Sequence, residues 1–530
     1  MKTRKLCVSN RSILVFALVV LLWGLSASNH SFDDDEFQHA HICWSIAHGI
    51  MPYRDFFEHH TPAYHILFAP VVALNQNPST LFLLRVTSAI LGILGLSALF
   101  LFLRRRDGEV ASLAAIFLLA VTPMFVLKMT EARPEPFAVF CFILGFVLLF
   151  APGVTGKCSD RRIFFAGFLA GFSACLSQKF IFPALGIVLC GFILGGRRSG
   201  LRALAGALVS AVMLLAWLAL HGLVRNFFYY VILLNARWKY TFSPAGYLYE
   251  LFSTAGVFLA LGIVGLAFIL SEGTFRKQEK IAFLLLFLSS LAEIFLVPVP
   301  YRQAFLPTLV ILSVSASAVL GEIGKYFCGR PAACGIFVLL IAASAPCFFG
   351  LKDIWRSRVS DDLNTMRLVE FLDSSDRPVF DGRSLMFYRM HATFYPTMHH
   401  EILKMVNLEH YAQDTMKALT RNDYPVVIRD YRVKMMPQEI LNFIDAHYCR
   451  FKDTDVYLPG RALDRSQLAG GCEFTIDIPG VYTVSWSGEE VSIDGKPVMN
   501  GSSVQLDAGS HTVHSSGFTD DFKIILTARK

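Results

Sequence analysis

The chain has 530 residues, 54% of them hydrophobic and only 17% charged, with a mean hydropathy of +0.50, which excludes an ordinary soluble globular protein and points to a membrane class. The net charge of +7 does not point to nucleic acid, because Lys and Arg gather in short groups beside apolar runs, where they orient helices in a bilayer. None of the 11 cysteines falls in a CxxC pair and several lie inside apolar runs, so cysteine-based metal or redox chemistry finds no support.

In chain order, the first apolar run, Ser12 to Ser28, follows Lys2, Arg4, Lys5 and Arg11. With no small-residue cleavage site after it, it reads as an uncleaved anchor and not as a signal peptide. Further runs near 80–103, 109–127, 136–152, 163–178, 180–196, 203–222, 251–271, 281–297, 304–322 and 332–350 bring the predicted spans to about eleven. Basic groups follow alternate spans: the N-terminus, Arg104 to Arg106, Lys157 with Arg161 and Arg162, Arg197 with Arg198 and Arg202, Arg276 with Lys277 and Lys280, and Lys325 with Arg330. The positive-inside rule makes these cytoplasmic. It puts outside the loop 30–79, the link 128–135, the turn at Gln178 and Lys179, the loop 223–250, the turn 298–303 and everything after 350. Residues 63–76 are apolar but too short to span and contain Pro70, so they are predicted to lie at the interface as a helix.

After Leu351 the composition turns polar, and it divides again near residue 460. The first part mixes helical patterns (365–372, 438–446) with short strand-like pieces (377–381, 424–429), which predicts a small α/β region. The second alternates with period two at 474–478, 482–486 and 491–493, between turns at Pro479-Gly480, Asp494-Gly495 and Ala508-Gly509, which predicts a small β-sandwich. Cys449 and Cys472 are the pairable thiols; a disulfide and two free thiols are both open. The fold class is therefore mainly α: a polytopic transmembrane helical bundle over 1–350, an external α/β region over 351–460 and a β-sandwich-like domain over 461–530.

The chemistry-bearing residues concentrate outside. The first loop reads Asp33-Asp-Asp-Glu-Phe-Gln-His-Ala-His41 and continues from Gly49 through Asp55, Glu58, His59 and His60 to Pro62. Carboxylates beside a bilayer can deprotonate an acceptor hydroxyl as it attacks a sugar carbon; the same residues also fit a helix cap, with Asp33 or Asp34 as N-cap and Glu36 in the first turn. Imidazoles at His39, His41, His48, His59, His60 and His65 suit zinc or manganese, but their spacing does not support a metal site, and the cofactor stays open. Lys128, Glu131, Arg133 and Glu135 crowd a short link between apolar runs and Lys179 stands alone between two others, either as snorkelling anchors or as cations for a lipid-linked phosphate. Arg237, Lys239 and Arg302 lie in aromatic external loops and are further phosphate candidates.

These segments form a pattern: a first helix, an external loop opening on Asp-Glu, a Gly49-x-x-Pro-Tyr-x-Asp55 segment, and an aromatic-Glu58-x-x-x-Pro62 close. It resembles the C-type (GT-C) superfamily of integral-membrane glycosyltransferases, near the protein O-mannosyltransferases and the bacterial aminoarabinose transferase. Glu131-Ala-Arg-Pro-Glu-Pro136, Leu176-Ser-Gln-Lys179 and Tyr301-Arg-Gln-Ala-Phe-Leu-Pro307 support it, and the likeness in organisation covers roughly 10–350. By position, the resemblance implies Asp35 as catalytic base with Glu36 beside it, Asp34 remaining a live substitute because three Asp residues run together. It implies that Lys179, Arg133 and Arg302 meet the carrier phosphate, and Glu58, His59, Glu131, Arg237 and Lys239 are the candidate donor or acceptor contacts. Glu135 departs from the family, which mostly has Asp there, and the tail after 350 matches no family motif.

The resemblance implies transfer of a hexose or pentose from a polyprenyl-phosphate carrier to an external lipid, glycan or protein acceptor, with inversion and with membrane lipids around the site. A bacterial inner membrane is the expected location. The rival reading, a transporter or flippase for an anionic or lipid-linked substrate, would require internal repeats and matching broken helices, and no clear repeat is present.

Overall fold

The computed structural model describes residues 9–155, 159–238, 243–271, 275–297, 299–326, 335, 345–348, 350–355, 359–397, 402, 408–463, 471–487, 490–515 and 522–529. The chain divides into two compact units, Met1–His39 with Glu58–Val359, and Ala40–Phe57 with Ser360–Lys530.

The first unit is helical: α1 Asn10–Asn29, the start of α2 (Asp34–Ala47), α3 Ala63–Leu74, α4 Ser79–Asp107, α5 Glu109–Val121, α6 Pro123–Met129, α7 Pro134–Thr155, α8 Asp160–Leu176, α9 Ile181–Leu220, α10 Val224–Phe227, α11 Ala245–Ser271, α12 Lys277–Leu296 and α13 Leu306–Tyr326. Among the described residues, six helical runs are long and apolar enough to cross a bilayer, or seven if the α5–α6 pair, bent by 72° at Thr122-Pro123, is one span. This is an integral membrane protein. Length and composition of the described helices do not establish the predicted count of about eleven. The helix α8 has 17 residues, α12 carries Lys277, Glu279, Lys280 and Glu293, and the predicted run 332–350 lies largely outside the described residues. The helix α3 forms where an interfacial helix was predicted, and it is too short to span.

The two predicted spans 180–196 and 203–222 make up one of these runs but are two helices, because the chain turns back inside α9 at Gly196, whose φ is +72°. A Cβ built on Gly191 would stand 3.6 Å from the Cα of Gly200. In a straight helix nine residues would separate those positions by about 13 Å. The hairpin packs on α8 through small residues: a Cβ at Gly167 would enter the carbonyl of Ala203, and one at Gly206 that of Phe164. Such close backbone approach is how helices associate where lipid offers no hydrophobic drive.

In the second unit, α14 (Val359–Leu372), α15 (Leu408–Thr420) and α16 (Gln438–His447) accompany eleven strands among the described residues: β1 Val379–Phe380, β2 Val426–Ile428, β3 Tyr448–Arg450, β4 Val456–Leu463, β5 Cys472–Ile476, β6 Gly480–Ser485, β7 Val491–Ile493, β8 Lys496–Val498, β9 Ser503–Leu506, β10 Gly509–Ser515 and β11 Phe522–Arg529. One sheet runs β1-β2-β4-β11-β6-β9 with β3 also on β4, and a second runs β5-β10-β7-β8. Phe474, Ile493 and Val513 of the second sheet share a core with Tyr482, Val484 and Ile524 of the first, so the last part is a sandwich. The expected boundary at 460 falls inside β4, whose Tyr457 pairs with Val427 of β2 while its Arg461 pairs with Ile524 of β11. One strand thus joins the α/β part to the sandwich. Asp494 and Gly495 both take positive φ in the tight β7–β8 hairpin that their dipeptide predicts. Cys449 and Cys472 are free thiols.

Residues 40–57 of the first loop belong to this second unit. His41 Nδ1 donates to the carbonyl of Phe387 (2.9 Å), its Nε2 meets His391 Nδ1 (3.0 Å), the Phe57 N–H donates to Phe394 O (2.6 Å), and the Phe57 ring packs on Tyr395.

Gly167→Leu should force α8 off the α9 hairpin and lower stability by at least about 1–3 kcal/mol. Gly24→Leu, with nothing within 4 Å, should be tolerated. Thermal unfolding of the detergent-extracted protein, followed by size-exclusion fluorescence, compares the two.

Candidate active site

The site grows from the N-terminus of α2. Asp33 caps it: Oδ1 accepts the Asp35 N–H (3.1 Å), and Glu36 Oε1 in return accepts the Asp33 N–H (2.9 Å). The capped-turn reading of the acidic loop is therefore correct as local structure. The carboxylates also hold buried cations.

Glu36 is fully buried against Arg85 of α4, with Nη2 to Oε1 at 2.5 Å and Nε to Oε2 at 2.7 Å, and its Oε2 takes the Ala132 N–H at 2.8 Å. Arg85 also donates to the carbonyls of Ala27, His30 and Ser31, which end α1. The geometry makes Glu36 a brace between α1, α2, α4 and the link before α7, with both oxygens engaged.

Arg133, 2% exposed, is the hub. Its Nη2 meets Asp35 Oδ2 at 2.8 Å, its Nη1 Asp33 Oδ1 at 3.1 Å, and its Nε faces Glu135 at 3.4 Å and Glu131 at 3.7 Å. Lys128 Nζ spans Asp33 Oδ2 (3.0 Å) and Glu131 Oε1 (2.7 Å). Burial works to raise Asp33, but Lys128 and Arg133 outweigh it and bring the carboxyl down to about 2. Burial lifts Glu131, flanked by Asp33 and Glu36 as well as by Lys128 and Arg133, up to about 7.

Glu135 carries the line onward: its Oε1 receives Lys179 Nζ at 2.8 Å. Lys179 sits in the turn Gln178–Phe180, which packs against the turn Arg302–Phe305. The structure thus gathers Asp35, Arg133, Glu135 and Lys179 into one alternating charge line, with Glu131 on its Lys128 side, and sets the Arg302 segment beside it. The Arg302 guanidinium itself reaches Glu250, with Nε at 2.9 and 3.0 Å. Arg237 is exposed at the end of the irregular helix that follows α10, and Lys239 lies outside the described residues.

Glu58, buried, opens the other side. Its Oε1 accepts the N–H groups of His59 and His60 (2.8 Å each) and meets His60 Nδ1 at 2.5 Å, while Oε2 accepts from Gln38 (3.0 Å). Burial would raise this carboxyl, but His60, His59 and His65 hold it well below the usual range. Gln178 and Asn235 both donate to the His59 carbonyl (3.1 and 2.9 Å), tying this turn to that of Lys179. His39 Nδ1 and His65 Nε2 share a hydrogen bond of 2.9 Å, with both rings fully buried. Among the described residues, Glu58, His59 and His60 are the group able to hold a divalent ion, their ligand atoms lying within 4.8 Å of one another. Glu58 is already satisfied by the hydrogen bonds from that turn and from Gln38 of α2, so the geometry admits an ion without requiring one.

Several site residues had escaped the sequence reading. Arg85 and Glu293 are charges inside predicted spans, the one signal that could have exposed them. Gln178 lies in the segment Leu176-Ser-Gln-Lys179 without a role of its own, and Asn235 and Glu250 had none either, since their roles come from tertiary contact.

The chain matches no known family model and no curated protein sequence. Its structure aligns over 85% of its length with 98% of the crystal structure of ArnT from Cupriavidus metallidurans bound to undecaprenyl phosphate, at 14% identity and a TM-score of 0.61. The apo state of that protein aligns over 84% and 97%, again at 14% identity, with a TM-score of 0.60. The chain shares the fold of ArnT. At this identity the likeness concerns the fold, and it agrees with the resemblance carried by the motifs of the first loop.

Two outcomes test the site's construction. Arg85→Met, which leaves Glu36 buried without its cation, should cost about 3–5 kcal/mol and reduce the yield of folded protein, while the double change Glu36→Leu with Arg85→Leu should recover part of the loss in thermal unfolding. Burial, with His60 adding to it and Glu58 opposing, lowers His65 to about 4 from its ordinary 6.5. Between those values the unfolded chain binds the extra proton, so this stability is complete above about pH 6.5 and is lost as pH falls towards 4. His65→Gln should flatten that decline in unfolding temperature; an unchanged slope would refute the assignment.

Proposed function

We propose that the chain is a glycosyltransferase that takes a hexose or pentose from a polyprenyl-phosphate carrier and transfers it to an acceptor on the external face of a bacterial inner membrane. The observation that carries the reading is the charge line Asp35–Arg133–Glu135–Lys179, buried at its centre and partly exposed at its ends, at the membrane domain's loop ends. The GT-C fold supports it, as does the undecaprenyl phosphate bound by ArnT, the structure of similar fold.

The geometry suits a phosphate leaving group. Arg133 and Lys179 are fixed donors inside a protein wall, where they stabilise developing negative charge more than they would in water. Both are held by carboxylates, so an arriving phosphate competes with Asp35 for the Arg133 guanidinium and with Glu135 for Lys179. That competition releases the Asp35 carboxylate beside the donor. In the reaction the acceptor oxygen forms its bond to the anomeric carbon as the bond from that carbon to the phosphate oxygen breaks. The electron pair leaves with the phosphate, the acceptor's proton passes to Asp35, and the centre inverts. Glu58 and His59, on the turn bonded to Gln178, are placed to contact donor or acceptor. Arg302 would join the phosphate by leaving Glu250. No cofactor is assigned a step.

Transfer from a polyprenyl-phosphate sugar to membrane-extract acceptors, with the purified protein in nanodiscs, tests this. Asp35→Asn should reduce the rate by at least about 100-fold with unchanged membrane abundance, and Lys179→Met should weaken binding of undecaprenyl phosphate by about tenfold. Full activity in Asp35→Asn would overturn the assignment of the base. Failure of the wild-type protein to bind undecaprenyl phosphate would overturn the reading as a whole.

A further inference from the structure

One group of buried atoms beside the charge line takes no part in it. Glu293 lies in the last turn of α12 and is fully buried, and neither carboxylate oxygen has a hydrogen-bond partner among the described residues. Gln303 Oε1, in the turn Arg302–Phe305, and Thr308 Oγ1, in the first turn of α13, are also buried and unpartnered there. The ends of α12 and α13 and the turn Arg302–Phe305 pack against one another, and that turn packs against the one carrying Lys179. Lys179 and Glu135 are the charged groups whose fields Glu293 feels.

Buried polar atoms without partners are costly, and a cluster of them needs a ligand, a water or a moving side chain to complete it. All of the orphan oxygens can accept hydrogen bonds, and the Thr308 hydroxyl can donate one as well. A phosphate leaves the Gln303 oxygen unsatisfied, since its own oxygens are acceptors too; hydroxyl groups, which both donate and accept, can pair with all three residues. The cations of the site and these acceptors therefore divide a glycosyl phosphate between them. We infer that Glu293, Gln303 and Thr308 form the subsite for the sugar hydroxyls of the lipid-linked donor, next to the cations that receive its phosphate. This rests on the proposed donor class and adds where the sugar sits and which groups select it. A sugar held there by two or more hydroxyls would be rejected when one of them is missing, because the acceptor facing it stays buried and unpaired.

The test uses the full chain in nanodiscs and measures binding of bare undecaprenyl phosphate beside a panel of synthetic polyprenyl-phosphate hexoses and pentoses. The wild-type protein should bind at least one glycosylated lipid more tightly than the bare one. Glu293→Leu and Gln303→Leu should weaken that binding by about tenfold and leave the bare lipid within about twofold, which also shows that the variants fold. Lys179→Met should weaken both lipids alike. Glu293→Gln keeps an acceptor oxygen and should stay within about threefold of the wild type; a loss as large as that of Leu would indicate a cationic ligand and overturn the hydroxyl assignment. Equal weakening of both lipids, no weakening of either, or no preference for any glycosylated lipid would each sink the sugar subsite. If undecaprenyl phosphate itself does not bind, the proposed donor class fails instead.

Discussion

A guanidinium buried among four carboxylates holds the centre of the membrane unit together. Arg133 could not be carried into so dry a place without compensation, and Asp33, Asp35, Glu131 and Glu135 supply it. Lys128 and Lys179 extend the alternation at either end. Three remote segments are fixed in this way: the start of α2, the link before α7 and the turn before α9. Each charge is tolerable only because its neighbours have the opposite sign, so the arrangement resists partial disassembly. An anion of the right shape is one of the few partners that could enter and exchange places without leaving a bare charge behind.

The acidic opening of α2 shows how one short stretch closes a helix and pairs buried cations at once. Asp33 and Glu36 close the helix end by reciprocal hydrogen bonds to backbone N–H groups. Glu36 then turns inward to Arg85, where both its oxygens are engaged, while Asp35 points the other way into the Arg133 hub. Neighbouring carboxylates thus face different partners because successive residues on a helix face different directions. The brace at Glu36 holds still the turn from which Asp35 projects.

Much of this was legible in the sequence because the bilayer imposes it. Spans, basic loops and the interfacial helix follow from hydrophobic length and charge, and α3 or the Asp494-Gly495 hairpin appear where those rules put them. The family motifs singled out Asp35, Arg133 and Lys179, which the structure brings into one line. Pairings across long separations were not legible. Nothing in the local sequence of Arg302 announces Glu250, and Gln178 and Asn235 look like any polar loop residue until both are seen on the His59 carbonyl. The span count is not established by composition for a related reason. Local composition treats α8 and the Glu293 end of α12 like other apolar runs, whereas helix length and buried charge separate them once the helices are drawn.

The partition of the first loop bears on how the molecule is made. Residues 40–57 emerge from the ribosome early, yet their partners Phe387, His391, Phe394 and Tyr395 are synthesised much later. That part of the second unit cannot close during early translation and must wait for the C-terminal third, a pairing of high sequence separation that slows assembly. For the same reason the tail is not a freely exchangeable module. A recombination joint at the membrane boundary near residue 350 would import a tail without the loop that completes it, so inheritance should favour keeping both pieces together.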